Sequence, residues 1–298
     1  MINLARSTTI NGFEVEKANR AGNDLAVVKR SNAWNQSIGV GNMNTIKSDF
    51  DHVAKLYDSS LPPIPEEYCQ LIQHRFNLGR RDRVIDLGCG TGLLTFALSR
   101  FSNNVEGIDI SKKMIEIARK RDTKRRIKWI CGPVESFDFG QDRYSLIVSY
   151  ESFHLFSNVD GLIKKFEVGL RSNGFLCVGW CCFQWEEPLK SVIIDVFRSS
   201  GIDWEEWGYW RCSDFPAAVK RNKHLSPVIE ETIRVQAKSH ISSIASYLAS
   251  IDKAAKLEVN AKMNLIEELT RNFKKFLSSE WISGLTSYSI AYSNKCVS

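Results

Sequence analysis

An acid followed by glycine at every second position, Asp86-Leu87-Gly88-Cys89-Gly90-Thr91-Gly92, closes a short apolar run and opens a helical pattern at Leu93, Leu94, Ala97 and Leu98. Glycines permit positive φ and let ligand atoms approach the backbone where a Cβ would clash. The helix that follows offers unpaired N–H groups at its start. Such a turn suits a nucleotide-like ligand laid across the strand ends of an open α/β sheet. A dinucleotide fingerprint would place glycine at position 93, which is Leu93, and a phosphate-cradling P-loop would need Gly-Lys-Ser/Thr, which is absent. Asp109 ends the next apolar run, twenty-one residues after Gly88. A carboxylate there can accept hydrogen bonds from both ribose hydroxyls. The bland reading is a tight turn that binds nothing.

The elements that must hold these residues alternate. Strand patterns at 83–87, 105–109, 127–131, 144–149 and 175–182 are separated by helix patterns at 93–98, 111–121 and 159–170. That alternation predicts βαβ units and a parallel sheet. Further strands are expected at 230–240 and 286–292. The expected fold class is α/β: a Rossmann-like, mostly parallel, seven-stranded sheet with helices on both faces. Phe50, Val53, Ala54 and Tyr57 predict a helix that the prolines at 62, 63 and 65 stop. A second helix opens at Glu66, and an amphipathic one is expected over 263–277. Residues 1–47, rich in Asn, Ser, Thr and Gly, read as an extension or lid on a domain spanning 48–298. An aromatic-rich helical cap is expected as an insertion at about 186–226.

Composition bounds the class. The 298 residues carry 40 Lys+Arg against 34 Asp+Glu, a net +6, with 43% hydrophobic residues. This excludes collagen-like, coiled-coil and wholly disordered chains. The charge is local. Residues 112–128 hold nine basic and two acidic residues, +7, which leaves the remainder at −1. No apolar stretch is long enough to span a bilayer, and the first twenty residues lack a secretory apolar core. The eight cysteines show no metal-ligand spacing. A cytoplasmic, reduced protein without a metal site is expected, as a monomer or homodimer.

VIDLGCGTG, GIDIS, IKWICGPVESF and YSLIVSYESFHLF together resemble the successive motifs of class I S-adenosylmethionine-dependent methyltransferases (methyltransferase type 11). They are most similar to the small-molecule branch that includes trans-aconitate methyltransferase and natural-product methyltransferases. The resemblance runs from about Phe50 to Gly179. It implies S-adenosyl-L-methionine as cofactor and S-adenosyl-L-homocysteine as product. Residue by residue, it implies that Asp86 contacts the methionine amino group and that Gly88, Cys89 and Gly90 line the methionine and ribose portions. Asp109 would hold the ribose hydroxyls, with Ile110 and Met114 beside the adenine. The Val134 backbone would face the adenine edge with Pro133 and Glu135 nearby, Ser149 would meet the methionine backbone, and Tyr57 would cover the cofactor. Three departures stand out. Pro133 replaces an acid, Leu61-Pro62 replaces an Arg-Pro that reaches the cofactor carboxylate, and Arg171-Ser172-Asn173-Gly174 replaces Lys-Pro-Gly-Gly.

Acceptor chemistry is expected after the fourth strand, at Tyr150-Glu151-Ser152-Phe153-His154, where the family has Gln-x-x-His. His154 is a candidate general base or a helix cap. Glu151 is a candidate anchor for an amine or a solvated loop acid. Five tryptophans (180, 185, 204, 207, 210) with Phe183, Phe197, Tyr209 and Phe215 form either an aromatic cover over the acceptor or packing of the cap. Tyr150, Trp180 and Trp185 are the candidate substrate contacts. The expected function is methyl transfer to O or N of a small, specialised metabolite. No membrane or nucleic-acid partner is expected, although the run at 112–128 supports an alternative RNA (tRNA) methyltransferase. A non-enzymatic cofactor-binding scaffold is a third reading.

Overall fold

The computed structural model describes residues 9–10, 13–15, 43–202, 214–250, 254 and 256–296. The tryptophans at 204, 207 and 210, with Tyr209, lie outside the described residues.

The five expected βαβ strands are present: β3 (Arg83–Leu87), β4 (Asn104–Asp109), β5 (Lys128–Cys131), β6 (Tyr144–Tyr150) and β7 (Leu170–Phe183). They pair in parallel, with β4 and β5 on one side of β3 and β6 and β7 on the other. The chain therefore reverses direction across the sheet between β3 and β6, and a crevice opens at the strand ends there. The later patterns become β8 (Ile229–His240) and β9 (Trp281–Asn294), with β9 antiparallel to both β7 and β8. These make the expected seven strands. Two short ones, β1 (Thr9–Ile10) and β2 (Phe13–Val15), extend the sheet beyond β8 to nine. This part of the expected extension thus adds to a sheet edge.

Period-2 alternation assigns the two faces. Val84, Leu146 and Val148 pack with Tyr68, Ile72, Leu94 and Leu98 of helices α2 (Glu66–Arg75) and α3 (Leu93–Leu98). Ile85, Leu87, Ile147 and Val178 pack on the other face with Phe166 of α5 (Val159–Gly169) and Phe215 of α7 (Asp214–Lys220). Phe215 also meets Phe153 edge-on at 5.4 Å, so it belongs to the sheet's core and not to a cover. A third apolar cluster sits over the strand ends. It joins Leu61 to α6 (Leu189–Ser199), α8 (Ile241–Leu248) and α9 (Val259–Phe276), with Leu265, Leu269 and Phe273 one helical turn apart. The cap therefore draws on 241–276 as well as the expected insertion.

At the opposite end of the sheet the Glu106 carboxylate is buried among Arg83 at 3.3 Å, Lys128 at 3.4 Å, Arg143 at 2.8 Å and the Tyr144 hydroxyl at 3.2 Å. Glu106 alone of the charges is buried, its cations keeping 26–60% of their side-chain surface in water, so removing it strands no buried charge and costs about 1–3 kcal/mol in lost hydrogen bonds. Glu106→Ala should lose stability of that order in urea unfolding, and an unchanged midpoint would contradict it.

Candidate active site

β3 ends in the glycine turn, whose Gly88 and Gly90 sit at φ +65° and +54°. The two do different jobs. A Cβ on Gly88 would lie 2.5 Å from Ser152, so Gly88 lets the loop after β6 close on the turn. A Cβ on Gly90 would meet only the Tyr57 ring, at 3.9 Å, and would otherwise project into open space. That space is the cleft. The Cys89 amide donates to the Ile108 carbonyl at 3.0 Å and joins the turn to β4.

Asp109 is the second anchor. Its Oδ2 accepts from the Gly90 amide and its Oδ1 from the Ser111 amide, each at 2.8 Å. Burial pushes its pKa up to about 6, the Ser111 and Gly90 amides oppose the rise, and the nearby Asp51 charge adds to it. Asp86 is buried at 1% exposure and accepts from the Thr95 hydroxyl at 2.6 Å. Burial raises its pKa to about 7; the Thr95 hydrogen bond opposes this and the Asp109 charge adds to it.

The roof is α1 (Met43–Ser60), held against α4 (Lys112–Arg121) at two points. Asp51 accepts from the Ser111 hydroxyl at 2.5 Å and the Lys113 amide at 3.2 Å, and so completes the cap of α4 beside Ser111, which itself caps Met114. Two residues before the end of α1, Asp58 pairs with Arg121 at 2.6 Å. This docking sets Tyr57 over Gly90.

Two adjoining open cavities, about 520 and 700 Å³ with the solvent at their mouths included, share Tyr57, Gly88, Gly90, Tyr150 and Glu151. The larger is lined by Asp109, Ile110, Met114, Pro133, Val134 and Glu135, so those expected residues come together. The smaller is lined by Asp86, Cys89 and Thr91 below and by Leu61, Pro62 and Tyr247 from the cap side. Glu151 is at their junction with φ +56°, an uncommon conformation for a residue with a Cβ, and its carboxylate accepts from the Cys181 amide. Glu135 accepts from the Ser157 amide and hydroxyl at 2.9 and 3.0 Å.

Four expected residues line neither cavity. Ser149 is buried and bonds Ser152 at 2.7 Å, which in turn donates to the Leu87 carbonyl, so its hydroxyl is used in closing the loop on β3. His154 follows the left-handed turn at Glu151 by three residues; Phe153 is in the core and Leu155 lines the larger cavity, while His154 lines neither. Trp180 packs on the α5 face of the sheet, because its neighbour Cys181 has the alternate face and the cavity. Trp185 stacks on Phe183 at 5.2 Å within the cap cluster. Thr91 and Asp51 were not among the expected residues. Thr91 follows Gly90 directly, a position with enough signal to be noticed; Asp51 has no motif around it.

Residues 84–174 match the family described as "Methyltransferase domain". Over those residues, about a third of its length, the chain is similar to methyltransferase domains, whose S-adenosylmethionine cofactor the sequence motifs also imply. The chain is 33% identical to a malonyl-[acyl-carrier protein] O-methyltransferase of Priestia megaterium over 139 residues, 45% of this chain and 50% of that protein. It is 29% identical to a ubiquinone biosynthesis O-methyltransferase of Pelagibacter ubique, covering 42% of this chain and 55% of that one. The matched stretches span about half the length of these curated relatives. The fold is shared with a Haemonchus contortus phosphoethanolamine N-methyltransferase at TM-score 0.52 and 16% identity, over 87% of this chain and 61% of that one.

The chain's own geometry fits such a cofactor. Gly90 leaves the space a Cβ would fill. The Thr91 hydroxyl, 1% exposed and in the smaller cavity's lining, has no hydrogen-bond partner within the protein, and such a group is costly until something meets it. A carboxylate fixed by two amides stands beside the larger cavity.

Proposed function

We propose that the chain is a cytoplasmic enzyme that methylates an oxygen or nitrogen of a small, specialised metabolite, leaving S-adenosyl-L-homocysteine. The observation that carries this reading is the Asp109–Gly90 bond, which locks an acid and the glycine turn together at the meeting of two cavities. When bound, the cofactor supplies a methyl group on a positively charged sulfur. The protein's share is mainly alignment, which can contribute roughly 7–11 kcal/mol. Asp109 would receive the ribose hydroxyls, with Ile110, Met114 and Val134 flanking the base and Tyr57 closing over the turn. Asp86 would receive the methionine ammonium.

No Lys, Arg or His lines either cavity among the described residues, and Leu61 stands where the family has arginine. The Thr91 hydroxyl is then the donor suited to the methionine carboxylate. Thr91→Val, which keeps the shape, should weaken S-adenosylhomocysteine binding about tenfold by calorimetry. Binding of the carboxylate-free 5′-methylthioadenosine should be unchanged; an equal loss for both would remove Thr91 from this role.

The RNA reading has the basic run in its favour and the geometry against it. α4 begins beside Asp109 and carries its ten residues, about 15 Å, away from the cleft, so residues 122–128 lie at the opposite edge of the sheet. Several of its charges are committed: Arg121 to Asp58, Lys128 to Glu106, and Arg119 to the Trp129 carbonyl at 2.9 Å. Methyl-labelled cofactor incubated with a metabolite extract and with total RNA separates the two. Label in the small-molecule fraction is expected, and label in RNA alone would overturn the proposal.

A further inference from the structure

The roof helix and Asp109 are fastened through one residue. Ser111, fully buried, meets two carboxylates: its amide donates to Asp109 Oδ1 at 2.8 Å and its hydroxyl to Asp51 Oδ1 at 2.5 Å. The same Asp51 oxygen accepts from the Lys113 amide at 3.2 Å, and the Ser111 hydroxyl oxygen accepts from the Met114 amide at 3.2 Å. Asp109 of β4, Ser111 at the cap of α4 and Asp51 of α1 thus form one chain of hydrogen bonds. The cavity lies at its inner end and the roof at its outer end.

Asp51 meets a need of α4. The first amides of a helix lack partners within it, and the helix dipole favours negative charge there. The first turn of α4 holds no acid and begins with Lys112 and Lys113, whose charges oppose that dipole. Ser111 satisfies the Met114 amide, and Asp51 brings the missing carboxylate from sixty residues earlier in the chain. Bonds to an ionised acceptor are the stronger kind, so this contact pins α1 as well as capping α4.

Part of the cavity wall rides on α1. Phe50, next to Asp51, lines the larger cavity together with Ile110 and Met114, and Tyr57, about two turns on, lines both cavities. Asp51 itself lines neither. We infer that Asp51 is a positioning residue for the cofactor: acting through Ser111, it holds α1 down so that Phe50 and Tyr57 close over the bound molecule. This rests on the methyltransferase reading. A wall fastened at this point must give when the ligand leaves, so loosening it speeds escape more than it slows entry.

The test uses the full chain with S-adenosylhomocysteine, its association and dissociation rates read by surface plasmon resonance. Asp51→Ala removes one capping carboxylate and should raise the dissociation rate about tenfold, with the association rate within about twofold of wild type. Asp51→Asn keeps an oxygen for both donors and should bring dissociation back to within about threefold of wild type. A merely structural loss would reduce the amount of binding-competent protein and leave both rate constants as they were. Wild-type dissociation in the alanine variant, a loss carried by association, or an asparagine variant as fast as the alanine one overturns the inference. Should the alanine variant fail to fold, wild type decides alone. Saturating S-adenosylhomocysteine should slow trypsin cleavage after Lys55, exposed on α1, at least fivefold more than cleavage after Lys275, exposed at the end of α9. Equal slowing at the two sites overturns the inference. Wild type that does not bind S-adenosylhomocysteine at all is a separate result, which removes the methyltransferase reading.

Discussion

Asp109→Ala should lower affinity for S-adenosylhomocysteine at least a hundredfold and bring thermal unfolding several degrees earlier. The carboxylate does two things at once. Facing the protein, it accepts from the Gly90 and Ser111 amides and so ties the glycine turn to the start of α4. Stranding two buried amides costs about 1–3 kcal/mol each, and a chain of this size loses roughly 2–4 °C per kcal/mol. Facing the cleft, its remaining lone pairs are the acceptors for ribose hydroxyls. Asp109→Asn is the informative companion, because its NH2 must oppose one of the two amides, donor against donor. It should therefore resemble the alanine variant despite its shape. An alanine variant that binds as wild type would remove Asp109 from the site.

The second large effect is in pH. Asp86 titrates near 7 in the ligand-free protein because it is buried, and a bound ammonium favours its ionised form. Affinity for the cofactor should thus approach its full value above pH 7 and fall as pH drops through it, about fivefold between pH 7 and 6, with Asp109 adding to the loss below 6. Calorimetry in buffers of different ionisation enthalpy should register proton release on binding near pH 6.5. Stability runs the other way. A carboxyl whose folded pKa lies above its unfolded value of 3.8 makes the native state the better proton binder between them. The free protein therefore loses stability on this account as pH rises from 4 to 7. Asp86→Asn keeps the Thr95 hydrogen bond and removes the titration. The variant should be more stable than wild type at pH 8 by a few kcal/mol, with the gap closing toward pH 4, while its cofactor affinity is weak and flat with pH down to about 6. A variant with the wild-type pH profile would sink the assignment.

The βαβ half was legible because each of its strands carries its own signal. Residues 144–150 are apolar enough to be buried on both faces, and the turn at 88–92 has glycines that nothing else explains. Asp86, Gly90 and Asp109 follow from that turn and one spacing. The roof and cap were less legible. Asp51 works by reaching across sixty residues to Ser111, and no local pattern announces such a contact. Trp180 and Cys181 differ by one position and hence by a whole face of the sheet, so an aromatic count along the chain cannot say which of the two meets the cavity. The placement of His154 has the same origin: the left-handed step at Glu151 resets the direction of the loop, and a motif read as a string does not carry that turn.

The position of β9 bears on how the molecule is made. It is the last strand of the sheet in chain order, yet it lies between β7 and β8 and pairs with both along most of their length. Until it arrives, β7 and β8 each present an open edge, and the sheet exists as two unjoined parts. Closure is thus a long-range event that local helix and strand formation cannot replace, which sets a slow pace for folding and prolongs the time during which those edges can find the wrong partner. Chaperone dependence and concentration-sensitive refolding yields are what this strand order should impose.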